Sequence, residues 1–302
     1  MATDTAMVEV DGRHVRVTNA GKVLWPQAGF TKADMIGYYL EIAPMLLPHI
    51  AGRPVTLKRA PNGVEEWYWF QNTCPHPPEW VSTRRIEAAT RAGKSYDYCV
   101  INDAASLTWV ANLGAIELHP LLSLTGRDDE AHMVVFDLDP GYPAGLTDCC
   151  RVALRLHDVL EQRRVVPVVK TSGLAGMHVY GLLTSPRTFS ETRELARSIA
   201  VDLTEALPGL VVTTKTRAKR QGKVLVDWSQ NSPLRSMVAP YSLRAAAIPT
   251  VSTPLAWDEV ESADARGAAD FLVFSPSKAI VRATTLGDLF QPLDPSPQLP
   301  SA

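Results

Sequence analysis

Apolar and polar positions along this chain switch between two periods. Met35, Ile36, Tyr39, Leu40, Ala43 and Leu46 recur at helical spacing, and Thr31 with Asp34 suits a helix cap, which predicts a helix starting near Lys32. Short apolar or aromatic runs predict strands over Arg13 to Val17, Pro54 to Arg59, Trp67 to Phe70 and Asp97 to Ile101. Asp103 is placed to cap a second helix, expected to reach about Leu118 and lined by Leu107, Val110, Leu113, Ala115 and Ile116. The apolar run Met133-Val134-Val135-Phe136 then carries straight into Asp137-Leu138-Asp139 and is stopped by Pro140-Gly141, which places this pair at a sheet edge. An amphipathic helix is expected from Thr147 to Arg163, a strand from Val165 to Lys170, a turn over Ser172 to Gly176, a strand from Met177 to Leu183 and a helix from Thr188 to Leu207. Glu191 stands at capping-box spacing in that last helix. Val211 to Thr214 and Lys223 to Trp228 read as strands flanking a basic loop, Met237 to Leu243 as a late strand, and Lys278 to Val281 as a short helix. Strands and helices mix without strict alternation, which argues for an α+β protein with a mixed sheet rather than a doubly wound one.

Composition narrows the partners. The 302 residues, 46% of them hydrophobic, suffice for one large domain or two lobes with a sizeable core. Residues 1–292 are expected to form that unit, and the Pro-rich, aromatic-free tail 293–302 to be disordered. Net charge is −2, so any nucleic-acid site is a local patch rather than the whole surface. No run of about 18 apolar residues and no charged-then-apolar N-terminus is present, so neither a membrane span nor a signal peptide is expected. The cysteines (Cys74, Cys99 and the adjacent Cys149 and Cys150) suggest no disulfide framework, which points to a reducing cytoplasm. Cys74-Pro75-His76 has no second Cys/His pair at zinc spacing, so a zinc site is not expected.

The candidate chemistry is acidic and basic at once. Residues two apart on a strand share a face, so Asp137 and Asp139 project together. Like charges this close call for a cation or a shared proton, and oxygen ligands suit Mg²⁺ or Mn²⁺; two solvated aspartates before a turn are the plain alternative. Asp227, the one acid in the run Lys223-Val224-Leu225-Val226-Asp227-Trp228, either completes a three-carboxylate site for two divalent ions or pairs with Lys223 or Arg220. Lys215, Arg217, Lys219, Arg220 and Lys223 form a cluster without an acid, suited to phosphate backbones or to a solvated hairpin. Trp67 to Phe70 divide between two faces, one expected in the core and one able to offer a stacking ring. Ser172, in a turn whose Gly173 and Gly176 let backbone N–H groups approach an anion, and His178 after it could hold a triphosphate; structural roles for them and for His119 stay open.

Taken together these segments resemble the polymerase domain of bacterial DNA ligase D, within the archaeo-eukaryotic primase superfamily. The segments that carry the resemblance are Thr18 to Pro26, Thr56-Leu57-Lys58-Arg59, Glu117-Leu118-His119, Val135 to Gly141, Thr171-Ser172-Gly173, Gly176-Met177-His178, Val226-Asp227 and Ala239 to Arg244, spread from about Val15 to Pro292. The resemblance implies a two-lobed α+β primase-polymerase fold with a central mixed or antiparallel sheet flanked by helices. It implies that Asp137, Asp139 and Asp227 bind two divalent ions, Mn²⁺ in preference to Mg²⁺, and that Lys58, His119, Ser172, His178 and Arg244 surround the incoming nucleoside triphosphate. Asn19, Lys22 and Lys32 match a pocket for the 5′-phosphate of a DNA end, Trp69 and Phe70 an aromatic pair beside the template, and Arg220 an arginine of a loop that reorganises on DNA. The implied activity is addition of nucleotides, often ribonucleotides, to primer ends at gaps and breaks. The implied setting is the nucleoid, as a monomer working with Ku and a separate DNA ligase. Ala175 departs from the pattern, standing where the family carries lysine, and the segment between His119 and Asp137 is short. No ligase or nuclease module follows, which reads as a stand-alone version. Two other classes stay in view. One is a non-catalytic DNA-end binding module. The other is a phosphohydrolase, because Phe136-Asp137-Leu138-Asp139 resembles the haloacid-dehalogenase opening, although Gly141 stands where that motif has threonine.

Overall fold

The computed structural model describes residues 4–87 and 94–290. The tail 293–302 expected to be disordered lies outside the described residues. The chain opens on the antiparallel pair β1 (Thr5–Val10) and β2 (Arg13–Thr18), followed by β3 (Val23–Trp25) and β4 (Phe30–Thr31). Helix α1 (Lys32–Ile50) starts where the spacing predicts, because Thr31 and Asp34 satisfy each other's backbone N–H groups in a capping box. Next come β5 (Pro54–Arg59), β6 (Trp69–Gln71), β7 (Thr83–Glu87), β8 (Ser95–Val100), α2 (Ala104–Asn112) and β9 (Ala115–Pro120). Strand β5 pairs with β9 on one side and with β6 and β8 on the other, β7 pairs with β8, and every one of these pairings is antiparallel.

Three expectations change here. The helix capped by Asp103 stops at Asn112 rather than near Leu118. Gly114 adopts φ +76°, and a side chain there would sit 2.7 Å from the Pro61 backbone, so the chain turns and β9 runs as a strand. His119 is therefore a strand residue, with Glu117 on its face and Ile116 and Leu118 buried on the other. The aromatic run is a strand only over Trp69–Gln71. Cys74 is bonded to Cys99, against the expectation of no disulfide. The Cys74 backbone N–H donates to the Asp97 carbonyl at 2.6 Å, which seats the loop after β6 against β8. The compartment argument drawn from cysteine usage falls with that expectation. Cys149 and Cys150 are free and buried. Among the described residues, no helix is long and apolar enough to cross a membrane.

The second half supplies β10 (Glu130–Pro140), α3 (Leu146–Gln162), β11 (Val166–Thr171), β12 (Met177–Thr188), α4 (Phe189–Ala206), β13 (Val211–Val212) and β14 (Val224–Asp227). It ends with β15 (Leu243–Arg244), β16 (Thr250–Val251), β17 (Pro254–Leu255), α5 (Trp257–Arg266) and α6 (Pro276–Leu286). A six-stranded sheet has the order β13-β14-β10-β12-β11-β17, parallel between β13 and β14 and antiparallel elsewhere. The mixed α+β architecture is the one expected. The late strand reaches regular pairing only at Leu243–Arg244, and α5 was not foreseen, because its polar sequence carries little apolar periodicity.

Alternation along the strands sets the two faces of this sheet. Val134, Phe136 and Leu138 of β10, Val169 of β11, Met177 and Val179 of β12 and Val226 of β14 join the main core, with the buried faces of α3 and α4. The opposite face carries Asp137 and Asp139 of β10, Lys170 of β11, His178 and Tyr180 of β12 and Asp227 of β14. Pro140-Gly141 ends β10, but β12 and β14 flank that strand. The acidic pair thus lies at the end of an interior strand rather than at a sheet edge. The first face is spent on packing, and the second packs Val135, Val168 and Tyr180 into a smaller core while its Asp137 end carries the polar groups.

Candidate active site and nucleic-acid interface

The three acids are brought together by register. Asp137 stands opposite Asp227 across β10 and β14, and Asp139 lies two residues on, along the same face. Two of these charges, on Asp227 and Asp139, are balanced by protein cations. Asp227, almost buried, accepts from Ser229 N–H at 3.0 Å, Ser229 Oγ at 2.6 Å and Gln230 Nε2 at 3.2 Å, and pairs with Lys215 Nζ at 2.8 Å. Asp139 is exposed and pairs with Arg220 at 2.5 Å. Asp137 lies 3.4 Å from His178 Nε2, which faces it from the neighbouring strand. With the side chains so turned, no three His, Cys, Asp or Glu residues among the described ones form a group that could hold a metal ion. The donor set nonetheless fits a divalent ion by its chemistry: three carboxylates on one face, all oxygen.

Beneath Asp137 lies a buried polar column. Lys170, fully buried, places Nζ 2.8 Å from His178 Nδ1 and 2.6 Å from Ser252 Oγ. Burial, with the Lys170 charge next, pulls His178 down to about 4. The ring is therefore neutral near pH 7. With Lys170 donating to Nδ1, its proton sits on Nε2 and faces the Asp137 carboxylate. Burial opposes ionisation of Asp137, but His178, Lys170 and Arg244 together hold its carboxyl below the usual range. Burial, followed by the Arg244 charge, puts Lys170 well below an ordinary lysine.

A second cluster gathers on β5, β9 and β15. Glu117, 1% exposed, takes Lys58 Nζ at 2.8 Å and the Ala245 N–H at 3.0 Å on Oε1. On Oε2 it takes His119 Nε2 at 2.8 Å, with Arg244 Nε 3.3 Å away. Burial alone would raise the Glu117 pKa, but the His119 hydrogen bond and the charges of Arg244, His119 and Lys58 hold it well below the carboxylate range. His119 is lowered, by burial first, against the opposing pull of Glu117. Arg244 joins this cluster to the Ser172 turn by donating to the Ser172 carbonyl at 2.7 Å. Gly173 makes room for it, since a Cβ there would meet Arg244 Cγ at 2.6 Å. The turn differs from an open anion nest: the N–H groups of Leu174 and Gly176 both donate to Ser172 Oγ at 3.1 Å.

The remaining sequence candidates fall into three places. Lys22 Nζ donates to Asn62 at 2.6 Å and Lys32 Nζ to the Thr18 carbonyl at 2.7 Å, beside Asn19, whose φ is +53°. Burial, then the charges of Lys22 and Arg59, lowers Lys32 to about 8. The aromatic run was expected to give one face to the core, yet Trp67, Tyr68 and Phe70 are exposed and Trp69 is only partly covered. Trp67 stacks on Trp69 with ring centres 4.9 Å apart, and Arg59 lies 5.1 Å over Trp69. On the other side Lys58 Nζ lies 4.3 Å over Tyr68, and Phe70 meets His119 edge-on at 5.4 Å. The basic cluster lies between β13 and β14; these pair in parallel, so its segment is a crossover and not a hairpin loop. Lys215 and Arg220 turn back onto the acids, and Lys223 donates to the Pro208 carbonyl.

Sequence reasoning gave no role to Glu117, Lys170 or Ser252, and read Lys215 as a phosphate ligand rather than a partner of Asp227. The signal for Glu117 was present, because a residue two before His119 on a strand shares its face. Lys170 and Ser252 meet only through pairing of strands remote in sequence.

Residues 31–290 match the family described as LigD, primase-polymerase domain. The chain is 39% identical over 283 residues to the multifunctional non-homologous end joining protein LigD of Mycolicibacterium smegmatis, covering 93% of this chain and 36% of that protein. It is 30% identical over 252 residues to the bifunctional non-homologous end joining protein LigD of Bacillus subtilis, covering 82% of this chain and 40% of that protein. The chain thus spans well under half the length of these relatives. Among solved structures it is similar to the polymerase domain from Mycobacterium tuberculosis ligase D in complex with DNA, with a TM-score of 0.85 and 36% identity, covering 92% of this chain and 96% of that one.

Proposed function

The chain belongs to the LigD primase-polymerase domain family, and from that premise we propose that it is a nucleotidyltransferase that extends primer ends at DNA gaps and breaks, with ribonucleotides preferred. The observation that carries this reading is the register pairing of Asp137 with Asp227, which sets three carboxylates on one sheet face. The Lys58, His119 and Arg244 cluster is tied to that sheet through the Ser172 turn. Asp137, Asp139 and Asp227 would hold two divalent ions, Mn²⁺ or Mg²⁺, with Lys215 and Arg220 released from the acids. When bound, such ions activate the attacking oxygen and neutralise charge on the phosphates. Lys58, His119, Ser172, His178 and Arg244 bind and orient the triphosphate, and Asn19, Lys22 and Lys32 take a 5′-phosphate. Ku and a DNA ligase activity are the proposed partners, the nucleoid the proposed setting, and the chain acts as a monomer.

The test is extension of a primer in a 5′-phosphorylated gapped duplex, with Mn²⁺ and either NTPs or dNTPs. Incorporation is expected, faster with NTPs. End binding with no incorporation under any divalent ion would instead mark a binding module. Phosphate release from a simple phosphomonoester would mark a phosphohydrolase.

Two further results are expected. Phe70→Ala weakens template binding by about 1–3 kcal/mol, the scale of one lost stacking ring, while the salt slope stays unchanged because no cation is removed. Preference for phosphorylated over hydroxyl ends is full below about pH 8, where Lys32 is charged, and fades as pH rises through that value. An end-binding ratio measured from pH 7 to 9 would show this, and a flat ratio would exclude Lys32 as the phosphate reader.

A further inference from the structure

On the nucleotide-transfer reading, we propose that Glu117 is the positioning residue of the triphosphate site, one buried carboxylate that fixes Lys58, His119 and Arg244 as a single cationic array. A carboxylate offers about four lone-pair sites. Around Glu117 three are taken by hydrogen bonds, from Lys58 Nζ and the Ala245 N–H on Oε1 and from His119 Nε2 on Oε2, and Arg244 Nε stands 3.3 Å from Oε2 as an ion pair without hydrogen-bond geometry. At 1% exposed and enclosed by these four groups, Glu117 acts through its partners and is not itself a catalytic residue. One negative charge facing at least two permanent cations leaves the array net positive, as an anion site requires. The same carboxylate reaches the aromatic strand. Lys58, held on Oε1, covers the Tyr68 ring, and His119, held on Oε2, meets Phe70. Glu117 thereby sets the cations and the exposed rings in one frame.

His119 carries the most specific consequence. An ionised carboxylate can only accept, so His119 Nε2 bears the proton. Burial lowers the ring's proton affinity, which leaves Nδ1 a lone pair when the ring is neutral. Among the described residues the carboxylate is the one hydrogen-bond partner that assigns this tautomer, and its loss removes that assignment.

Glu117→Gln keeps the shape but halves the acceptors and sets an amide NH₂ against donors. In steady-state primer extension its KM for the nucleotide is expected to rise about tenfold or more, the scale of a lost charge-assisted hydrogen bond, with kcat changed much less. Glu117→Asp, which retains the charge, is expected to fall between. A folded E117Q protein with unchanged KM, or one whose kcat alone falls, overturns the proposal. A reading that needs no variant is ¹⁵N NMR of the His119 ring in the unsubstituted protein. A proton on Nε2 at neutral pH supports the assignment, and a lone pair on Nε2 overturns it. If the unsubstituted protein incorporates no nucleotide, the function above fails, while the ring measurement still decides what Glu117 holds.

Discussion

Asp137→Ala is expected to abolish primer extension, with a loss of roughly 10³-fold or more, equivalent to several kcal/mol of transition-state stabilisation. Asp137 sits at the centre of the acidic group, opposite Asp227 and beside His178. No other carboxylate on this face has that place: Asp139 is exposed and Asp227 is tied to Ser229. Folding should survive, because the side chain is partly exposed and packs into neither core. Removing it leaves the buried Lys170 and His178 column short of its nearest negative charge, so a modest fall in melting temperature is expected alongside. Asp137→Asn, which keeps the shape without the charge, is expected to show both losses, since both rest on the charge. Rates from single-turnover extension, set against melting curves, check both variants. A folded variant with wild-type turnover would remove the acidic face from the mechanism.

Gly176→Ala is expected to have the second-largest effect, and its cause is backbone proximity. A Cβ at 176 would lie 2.1 Å from the Leu138 carbonyl oxygen and 3.4 Å from Pro140 Cδ, and the first of these contacts cannot relax by moving a side chain. Leu138 lies between Asp137 and Asp139, so the methyl drives a wedge between the Ser172 turn and the acidic strand. Ser172 N–H donates to the Gly176 carbonyl, and the Gly176 N–H donates to Ser172 Oγ, so the whole turn must shift. Overpacking of this kind costs about 1–3 kcal/mol of stability. A displacement near 1 Å in a reacting constellation costs about 10²-fold in rate. The predicted signature is thus a small drop in melting temperature with a much larger drop in turnover. Equal losses in both would show that the turn is merely structural.

How far the site was legible in the sequence depends on what each feature rests on. Asp137 and Asp139 were readable because a two-residue period on one strand is local. Thr31 and Thr188 were readable as caps because the box is written within four residues. The pairing of Asp227 with Asp137 came from a family resemblance and not from spacing, since the register of β10 against β14 is set by contacts about ninety residues apart in sequence. The helix over-run past Asn112 came from counting Ala115 and Ile116 into a helical stripe. Gly114 was the local warning, but its cause is the nearness of Pro61, which only the fold supplies. The exposure of the aromatic run was missed for a similar reason. Hydrophobicity argues for a core, yet β6 is too short to offer a face to one, and its rings find cations instead. The Cys74–Cys99 bond lies across a loop whose path no periodicity records.

The irregularity in β10 has a consequence for insertion tolerance. Between Ala131 and Met133 the pairing advances two residues on β10 but five on β12, from Arg187 to Leu182, and then runs unbroken from Met133 to Leu138. An extra β10 residue near the slip can be taken up against the surplus β12 residues, leaving everything downstream in phase. The same addition between Val134 and Asp137 would rotate each downstream side chain to the other face, pressing both acids into α3 and α4 and turning Phe136 out to water. Length polymorphism in this strand should therefore be confined to its first three residues.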